Sequence, residues 1–191
     1  MDQQKICFIG AGNMTRSIIS GLINSGYPAQ LIQATNPSQG KLDALKDDFG
    51  ILVSQDNLAA EQAADVIVLS VKPQLMQQVC EALQTVELSN KLVITIAAGI
   101  KAKRYTDYLA QDIKLIRAMP NTPMQISVGM TGLYAPQSIT TEQKAICDRL
   151  MSSGGEIVWV NEESNLDQVI ALSGSSPAYF FLLMESMIDA G

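Results

Sequence analysis

The chain has 191 residues, of which 47% are hydrophobic and 17% charged, so it can bury a core and its composition excludes a disordered protein. Its formal net charge is −6 and it has no run of Lys and Arg, which excludes a nucleic-acid-binding surface. Histidine is absent, which excludes a histidine-based catalytic triad and a histidine metal site, so no metal is expected.

The three cysteines, Cys7, Cys80 and Cys147, are odd in number and far apart. This pattern fits neither a disulfide framework nor a closely spaced metal site, and it predicts reduced, buried thiols in a cytoplasmic protein. The N-terminus lacks a basic stretch followed by a long apolar run, and no apolar run reaches the roughly 18 residues of a membrane span. We therefore expect neither a signal peptide nor a membrane partner.

Short β-branched runs alternate with helical patterns along most of the chain. The predicted strands cover residues 6–9, 31–35, 51–54, 66–71, 92–96, 113–118, 128–134 and 156–160. The predicted helices run from Met14 to near Gly26 and over residues 42–49, 58–64, 75–83 and 141–151. This alternation predicts an α/β fold, in which residues 1–160 form a Rossmann-type, doubly wound, mostly parallel sheet.

The pattern becomes entirely helical after residues 161–164, so residues 161–191 are predicted to begin an all-helical C-terminal domain. From Ala178 to Ile188 only Glu185 and Ser186 are not apolar. A helix that is apolar nearly all round must be buried nearly all round, and this one is too short to span a membrane. We therefore expect a homo-oligomer that buries this helix, together with further residues after Gly191.

Residues 10–15 read Gly-Ala-Gly-Asn-Met-Thr and lie between a predicted strand and a predicted helix. They match the dinucleotide-binding pattern G-x-G-x-x-G, except that Thr15 replaces the third glycine. Gly10 permits the tight turn, Gly12 lets the backbone approach a pyrophosphate, and the start of the helix directs free N–H groups at that anion. The alternative is a structural turn without a ligand.

The residues after the second predicted strand indicate which dinucleotide binds. An NAD site usually has an acidic residue about 20 positions after the glycines, but here no acidic residue lies between Gly12 and Asp43. Asn36 and Ser38 can donate hydrogen bonds to a 2′-phosphate, and Lys41 can add positive charge. The sequence therefore favours NADP(H) as the cofactor, with NAD(H) as the second candidate because no arginine occurs here.

Three further segments follow predicted strands, where open α/β sheets bind their ligands. They are Ser70-Val71-Lys72-Pro73-Gln74, Ala97-Ala98-Gly99 and Met119-Pro120-Asn121-Thr122-Pro123. Pro73 keeps Lys72 extended, and the prolines beside Asn121 would stiffen its loop. Before the last helix, Ser175 or Ser176 is the predicted N-cap, with Pro177 at the first helical position.

Five segments in this order, FIGAGNM, SVKPQ, ITIAAGI, RAMPNTP and LSGSSPAYFFLLMESMIDAG, resemble the pyrroline-5-carboxylate reductase family. The resemblance runs from Lys5 to the last residue. It implies a Rossmann domain followed by a helical domain that interlocks in a dimer. It also implies reduction of 1-pyrroline-5-carboxylate to L-proline, the last step of proline biosynthesis, with NAD(P)H as the hydride donor.

The resemblance also implies which residues bind the cofactor. The pyrophosphate would lie at Ile9, Gly10, Ala11, Gly12, Asn13 and Met14. The adenosine end would lie at Asn36 and Asn57, and the remaining contacts toward the nicotinamide would come from Ser70, Val71, Lys72, Pro73, Ala97, Ala98 and Gly99. Asn121, Ser175 and Ser176 are the candidates on the substrate side.

One departure concerns the end of the chain. The family carries a Ser-Pro-Gly-Gly-Thr-Thr-like segment at the imine substrate, and this sequence lacks it. The catalytic residue therefore stays unnamed, and the sequence predicts a C-terminally truncated, inactive form. Two alternatives remain: a non-catalytic NADP-binding domain, and a reductase of the hydroxyacid dehydrogenase type. The second needs a catalytic lysine on a later helix, whereas no lysine follows Lys144.

Overall fold

The computed structural model describes residues 3–191 and contains one eight-stranded sheet with helices on both faces. The strands are β1 (Ile6–Ile9), β2 (Ile32–Thr35), β3 (Leu52–Ser54), β4 (Val66–Leu69), β5 (Leu92–Thr95), β6 (Lys114–Met119), β7 (Gly129–Tyr134) and β8 (Gly155–Trp159). The helices are α1 (Asn13–Asn24), α2 (Gln39–Phe49), α3 (Asn57–Gln62), α4 (Pro73–Ala82), α5 (Ala102–Leu109), α6 (Thr141–Ser152), α7 (Leu166–Val169) and α8 (Ser176–Ala190).

The strands lie in the order β3-β2-β1-β4-β5-β6-β7-β8. The first six strands are parallel to one another, and β7 pairs antiparallel with β6 but parallel with β8. The predicted mostly parallel, doubly wound sheet is therefore confirmed, with its two antiparallel members at one edge.

Alternate residues of the central strands supply two separate cores. In β1, Ile6 and Phe8 belong to the cluster on the α1 face, whereas Cys7 and Ile9 belong to the cluster on the α4 face. Successive side chains of a strand point to opposite faces, so a strand that is buried on both faces reads as a continuous apolar run. This explains why β1, β4 and β5 were visible in the sequence as unbroken runs.

Helix α5 was not predicted, because only two of its side chains, Tyr105 and Leu109, are buried. Their spacing of four residues places them on one face, and the rest of the helix is polar enough to resemble a loop. The short 3₁₀ helix Thr122–Ile126 was missed for a related reason, since two prolines flank its start and suggest an extended loop.

The C-terminal segment is helical without a break from Leu166 onward, because a π-helical turn (Ile170–Ser175) connects α7 to α8. Ser175 lies at the predicted N-cap position of α8, with Pro177 in the first turn, but neither serine caps the helix as predicted. Ser175 has helical backbone angles and makes no capping hydrogen bond, and the Ser176 hydroxyl donates to the Ala171 carbonyl at 2.6 Å. A serine hydroxyl can donate to a backbone carbonyl inside a helix, or it can cap the start of a helix. The sequence alone does not distinguish these two uses.

The two ends of this segment differ in how they contact the sheet. Leu166 is buried against β7, where Gly132 leaves room: an added Cβ there would lie 2.8 Å from Val169 and 3.2 Å from Leu166. By contrast, the large apolar side chains of α8 are between 51% and 76% exposed. They are Tyr179, Phe180, Phe181, Leu182, Leu183, Met184, Met187 and Ile188.

Cys7, Cys80 and Cys147 are buried and unpaired. Burial raises the pKa of the Cys7 and Cys80 thiols to about 12, and the nearby Glu61 carboxyl acts in the same direction. Within residues 3–191, the helices are too short or too polar to cross a membrane.

Candidate functional site

The glycine turn (residues 10–12) connects β1 to α1, and its two glycines serve different needs. Gly10 has φ of +108°, and an added Cβ would lie 2.7 Å from the Ser70 carbonyl oxygen. Only glycine fits there, because both the backbone angle and the approach to β4 exclude a side chain. Gly12 has ordinary extended angles before α1, and an added Cβ would meet nothing within 4 Å. Its missing side chain therefore leaves open space beside the N–H groups that begin α1.

Two hydroxyls, the buried one of Thr15 and the half-buried one of Ser70, hold this turn in place. The Thr15 hydroxyl lies 2.8 Å from the Gly10 carbonyl and 2.9 Å from the Ser70 hydroxyl. The Ser70 hydroxyl in turn lies 2.9 Å from the Ile9 carbonyl. Thr15, which replaces the third glycine of the pattern, therefore ties the turn to the end of β4 and is more than a tolerated packing variant.

A cleft of about 600 Å³ opens above the glycine turn, at the carboxyl ends of β1, β2 and β4. Its lining includes these predicted cofactor residues: Ile9, Gly10, Ala11, Gly12, Asn36, Asn57, Ser70, Val71 and Lys72. It lies where strand order reverses between β1 and β4, the position at which doubly wound sheets bind ligands.

Polar and cationic side chains line the end of the cleft beyond β2. The Asn36 side chain accepts a hydrogen bond from the Ala11 N–H at 3.4 Å and donates to the Ser38 carbonyl at 3.3 Å. The Gln55 side chain donates to the Pro37 carbonyl at 2.8 Å. Among the described residues that line the cleft, Lys41 and Lys72 are cationic and none is Asp or Glu. The cleft is therefore suited to an anionic ligand.

The opposite wall of the cleft is apolar and comes from α4. Leu75, Val79 and Ala82 follow the i, i+4, i+7 spacing of one helical face and line the cleft. A second stripe, Met76, Cys80 and Leu83, is buried in the core. Leu75 is half exposed, so it offers an apolar surface to a ligand in the cleft.

Several predicted cofactor residues lie elsewhere. Asn13 lines a separate polar hollow with Arg16 and Gln125, and Gly99 lines another with Lys101 and Arg117. The other predicted residues outside the lining of the cleft are Met14, Pro73, Ala97 and Ala98.

Two of the three substrate-side candidates, Asn121 and Ser176, make side-chain hydrogen bonds within the chain. The Asn121 side chain accepts from the Met130 N–H and donates to the Ser173 carbonyl, both at 2.9 Å. Ser176 donates to Ala171, as described above, and Ser175 is exposed at the start of α8. The geometry therefore gives Asn121 a bridging position.

Sequence reasoning missed Gln55 and the apolar wall of α4. Gln55 directly follows β3, so the rule that placed ligands at strand ends could have found it. The double apolar stripe of α4 was also visible, since positions 75 and 76, 79 and 80, and 82 and 83 form adjacent pairs. The signal in the sequence was that α4 has more apolar residues than a helix needs in order to bury one face.

Comparisons with known proteins agree with this geometry. A family model described as NADP oxidoreductase, coenzyme F420-dependent, matches residues 5–99, a range that contains every residue lining the cleft. A second family model, described as pyrroline-5-carboxylate reductase dimerisation, matches residues 163–191.

Whole-chain similarity is to pyrroline-5-carboxylate reductases. That of Vibrio alginolyticus is 54% identical over 98% of this chain and 69% of the relative. The structure of the Coxiella burnetii enzyme has a TM-score of 0.92 at 41% identity, covering 99% of this chain and 70% of that one. The Plasmodium falciparum structure, described with NADP bound, has a TM-score of 0.88 at 27% identity, covering 100% and 70%. The chain belongs to the pyrroline-5-carboxylate reductase family.

Proposed function

We propose that this protein reduces 1-pyrroline-5-carboxylate to L-proline with NADPH. The observation that carries the proposal is the cleft above the glycine turn, which has two lysines and no carboxylate in a chain of this family. NADP carries more negative charge than NAD through its 2′-phosphate. Lysines without nearby carboxylates favour that extra charge.

The cleft residues fit the parts of the cofactor in turn. The open space at Gly12 and the N–H groups that begin α1 suit the pyrophosphate. The face formed by Leu75, Val79 and Ala82 suits an adenine ring, while Lys41 and Asn36 suit a phosphate on the adjoining ribose. When bound, NADPH supplies the hydride that reduces the carbon of the imine. The chain's own contribution at this cleft is to bind and orient that donor.

The same proposal covers assembly and organisation. Residues 1–160 form the nucleotide-binding domain, and residues 161–191 begin a helical domain through which the protein forms a homo-oligomer. The exposed apolar surface of α8 supports this, because monomeric proteins rarely keep so large a contiguous patch in water. Buried, unpaired thiols are typical of a reducing compartment, so we propose a cytoplasmic location.

The test has a binding arm and a reaction arm. NADPH and NADH are titrated by cofactor fluorescence against the wild type and Lys41→Ala. The matched control is Lys46→Ala on the same helix, outside the cleft. We expect tighter binding of NADPH and, in Lys41→Ala only, a loss on the order of tenfold for NADPH and little for NADH. Tighter binding of NADH by the wild type would overturn the choice of cofactor.

In the reaction arm, NADPH consumption is followed after addition of 1-pyrroline-5-carboxylate, and proline is measured as the product. Binding of NADPH without formation of proline, by a form that carries the family's Ser-Pro-Gly-Gly-Thr-Thr-like segment, would contradict the proposed reaction. That outcome would favour the non-catalytic NADP-binding alternative.

A further inference from the structure

The RAMPNTP segment (residues 117–123) takes no part in lining the cofactor cleft. It covers the end of β6 and the loop that follows, and two of its polar side chains are buried. Arg117 is 4% exposed and Asn121 is 7% exposed. Buried polar groups usually have hydrogen-bond partners, so the partners of these two side chains indicate what the segment does. The Nε atom of Arg117 is buried without a partner in the described chain, and its other contacts carry the argument.

Arg117 is paired with the first residue of the dimerisation segment, residues 163–191. Its guanidinium donates to Glu163 at 2.8 Å. The same carboxylate oxygen accepts from the Ala102 N–H at 2.6 Å, at the start of α5. Helix α5 has no side-chain cap of its own and no acidic residue in its first turn. Glu163 therefore caps a helix that begins 61 residues earlier in the chain. Its negative charge is attracted both by Arg117 and by the positive end of that helix.

Asn121 contacts the same segment ten residues later. Its amide nitrogen donates to the Ser173 carbonyl inside the π-helical turn, and its oxygen accepts from the Met130 N–H of β7. One planar side chain thus connects the turn before α8 to the sheet. Between the two contacts, Leu166 packs on β7 at the space left by Gly132.

We propose that Arg117 and Asn121 are positioning residues that form a two-point anchor for the dimerisation segment and fix the direction in which α8 leaves the sheet. The anchored part, from Glu163 to Ser173, is held by polar contacts, whereas α8 beyond it has an apolar surface without a partner in the described chain. Fixing the direction of α8 in the free subunit lowers the entropy lost when subunits associate. The consequence for association rests on the proposed dimer but not on the proposed reaction.

The first experiment measures amide hydrogen exchange in the intact protein. Glu163→Ala should speed exchange at the start of α5 and through residues 166–175 by about tenfold or more, while β1 to β5 stay protected. Glu163→Gln keeps an acceptor and should restore part of the protection. Asp107→Asn, which removes the partner of the exposed Arg104, is the control and should change none of these amides. Equal exchange in Glu163→Ala and the wild type would overturn the anchor.

Removing Glu163 leaves Arg117 buried without its partner, so the single variant risks global unfolding. The double variant Arg117→Met, Glu163→Met avoids this, because apolar residues can replace a buried ion pair without loss of stability. It should keep the wild-type melting temperature and still show fast exchange at the start of α5. Wild-type protection there in the double variant would overturn the proposed cap.

The second experiment separates the two bonds of Asn121. Asn121→Asp loses the donor to Ser173 but keeps the acceptor for Met130, whereas Asn121→Ala loses both. Exchange in residues 171–176 should rise in both variants, and exchange at Met130 should rise only in the alanine variant. Protection of residues 171–176 in Asn121→Asp would overturn the role of this bond.

The last measurement is the dimer dissociation constant, obtained by sedimentation across a concentration series. It would not change if the anchor contacts only stabilised the local structure. It should rise by about threefold to tenfold in Asn121→Asp and Glu163→Gln, with the NADPH dissociation constant unchanged. An unchanged dimer constant in a variant with faster exchange would overturn the link between the anchor and association.

Discussion

The glycine turn and helix α8 differ in how far their contacts are completed within the chain. At the turn, Gly10, Thr15 and Ser70 satisfy one another inside the chain, and the open space is confined to the side where a ligand fits. In α8 the Ser176 hydroxyl bonds back to Ala171 of the same helical segment, and the large apolar side chains beyond it are more than half exposed. The cleft at the glycine turn is thus lined by one chain, whereas the apolar surface of α8 is left open to a partner.

The largest expected effect comes from substituting the two glycines of the turn, and the two substitutions should have different consequences. Gly10→Ala should lower the free energy of unfolding by roughly 3 kcal/mol, because the positive φ and the contact with Ser70 both oppose a Cβ, and it should abolish NADPH binding. Gly12→Leu should cost only about 1 kcal/mol at the N-cap yet weaken NADPH binding by on the order of a hundredfold. Urea unfolding and fluorescence titration measure both. A stable Gly10→Ala protein would contradict the assignment.

Glu61, in α3, differs from the hydroxyls at the glycine turn, which have hydrogen-bond partners. It is 0% exposed, and neither carboxylate oxygen has a hydrogen-bond partner in the described chain. Burial raises its pKa from 4.5 to about 8, and Lys91 opposes the shift only in part. A raised folded-state pKa contributes stability that is fully present below pH 4.5 and is lost as pH rises to about 8.

The measurement for Glu61 is urea unfolding between pH 5 and 8.5. Over most of that range the wild type should lose stability relative to Glu61→Gln at about 1.4 kcal/mol per pH unit. Glu61→Met should remove the slope and be the more stable protein at pH 8. Parallel curves for the wild type and Glu61→Gln would mean that Glu61 does not titrate in this window.

In α8, Phe181→Glu combined with Met184→Glu should shift the protein toward monomer. Each large apolar side chain lost from an interface costs roughly 1.5–3 kcal/mol of association free energy. NADPH binding should be unchanged, because the cleft lies at the ends of β1, β2 and β4, whereas the segment that leads to α8 packs on β7. Leu52→Glu, at an exposed apolar position of β3, is the matched control for added charge. Light scattering across a concentration series decides, and a wild type that stays monomeric at every concentration would contradict the interface.

The smallest expected effect tests the hydroxyls below the glycine turn. Thr15→Val keeps the shape of the side chain but loses both contacts, at a cost of about 1 kcal/mol in unfolding free energy. NADPH affinity should fall several-fold because the turn is held less firmly. Thr15→Ser should restore both values. If valine and serine gave the same affinity, the hydroxyl would have no role in cofactor binding.

The sequence predicted those parts of the molecule that local chemistry decides. The turn at Gly10 and the buried runs of β1, β4 and β5 follow from backbone freedom and from alternation of side chains, and both can be read within a few residues. Pro73 was correctly predicted to hold Lys72 extended, although it begins α4 two residues earlier than expected. The cofactor assignments of individual residues remain predictions.

Contacts between distant residues could not be predicted. Nothing near Lys101 indicates that Glu163 will cap α5, and nothing near Asn121 indicates that its amide will bond to Ser173. The serines before Pro177 were misassigned as a cap because a π-helical turn has no sequence pattern as distinct as that of a helix N-terminus. Tertiary packing decided each of these cases.

The π-helical turn also makes α8 a lever. Its 15 residues extend about 22 Å, so a tilt of about 10° at Ser173 would move the far end by about 4 Å. A sideways displacement of that size is comparable with the roughly 5–6 Å between neighbouring side chains on a helix surface, so the end of α8 would meet a different part of a partner's surface. Substitutions at the base of the lever, far from the partner surface, can therefore change which surfaces meet while leaving the composition of α8 untouched.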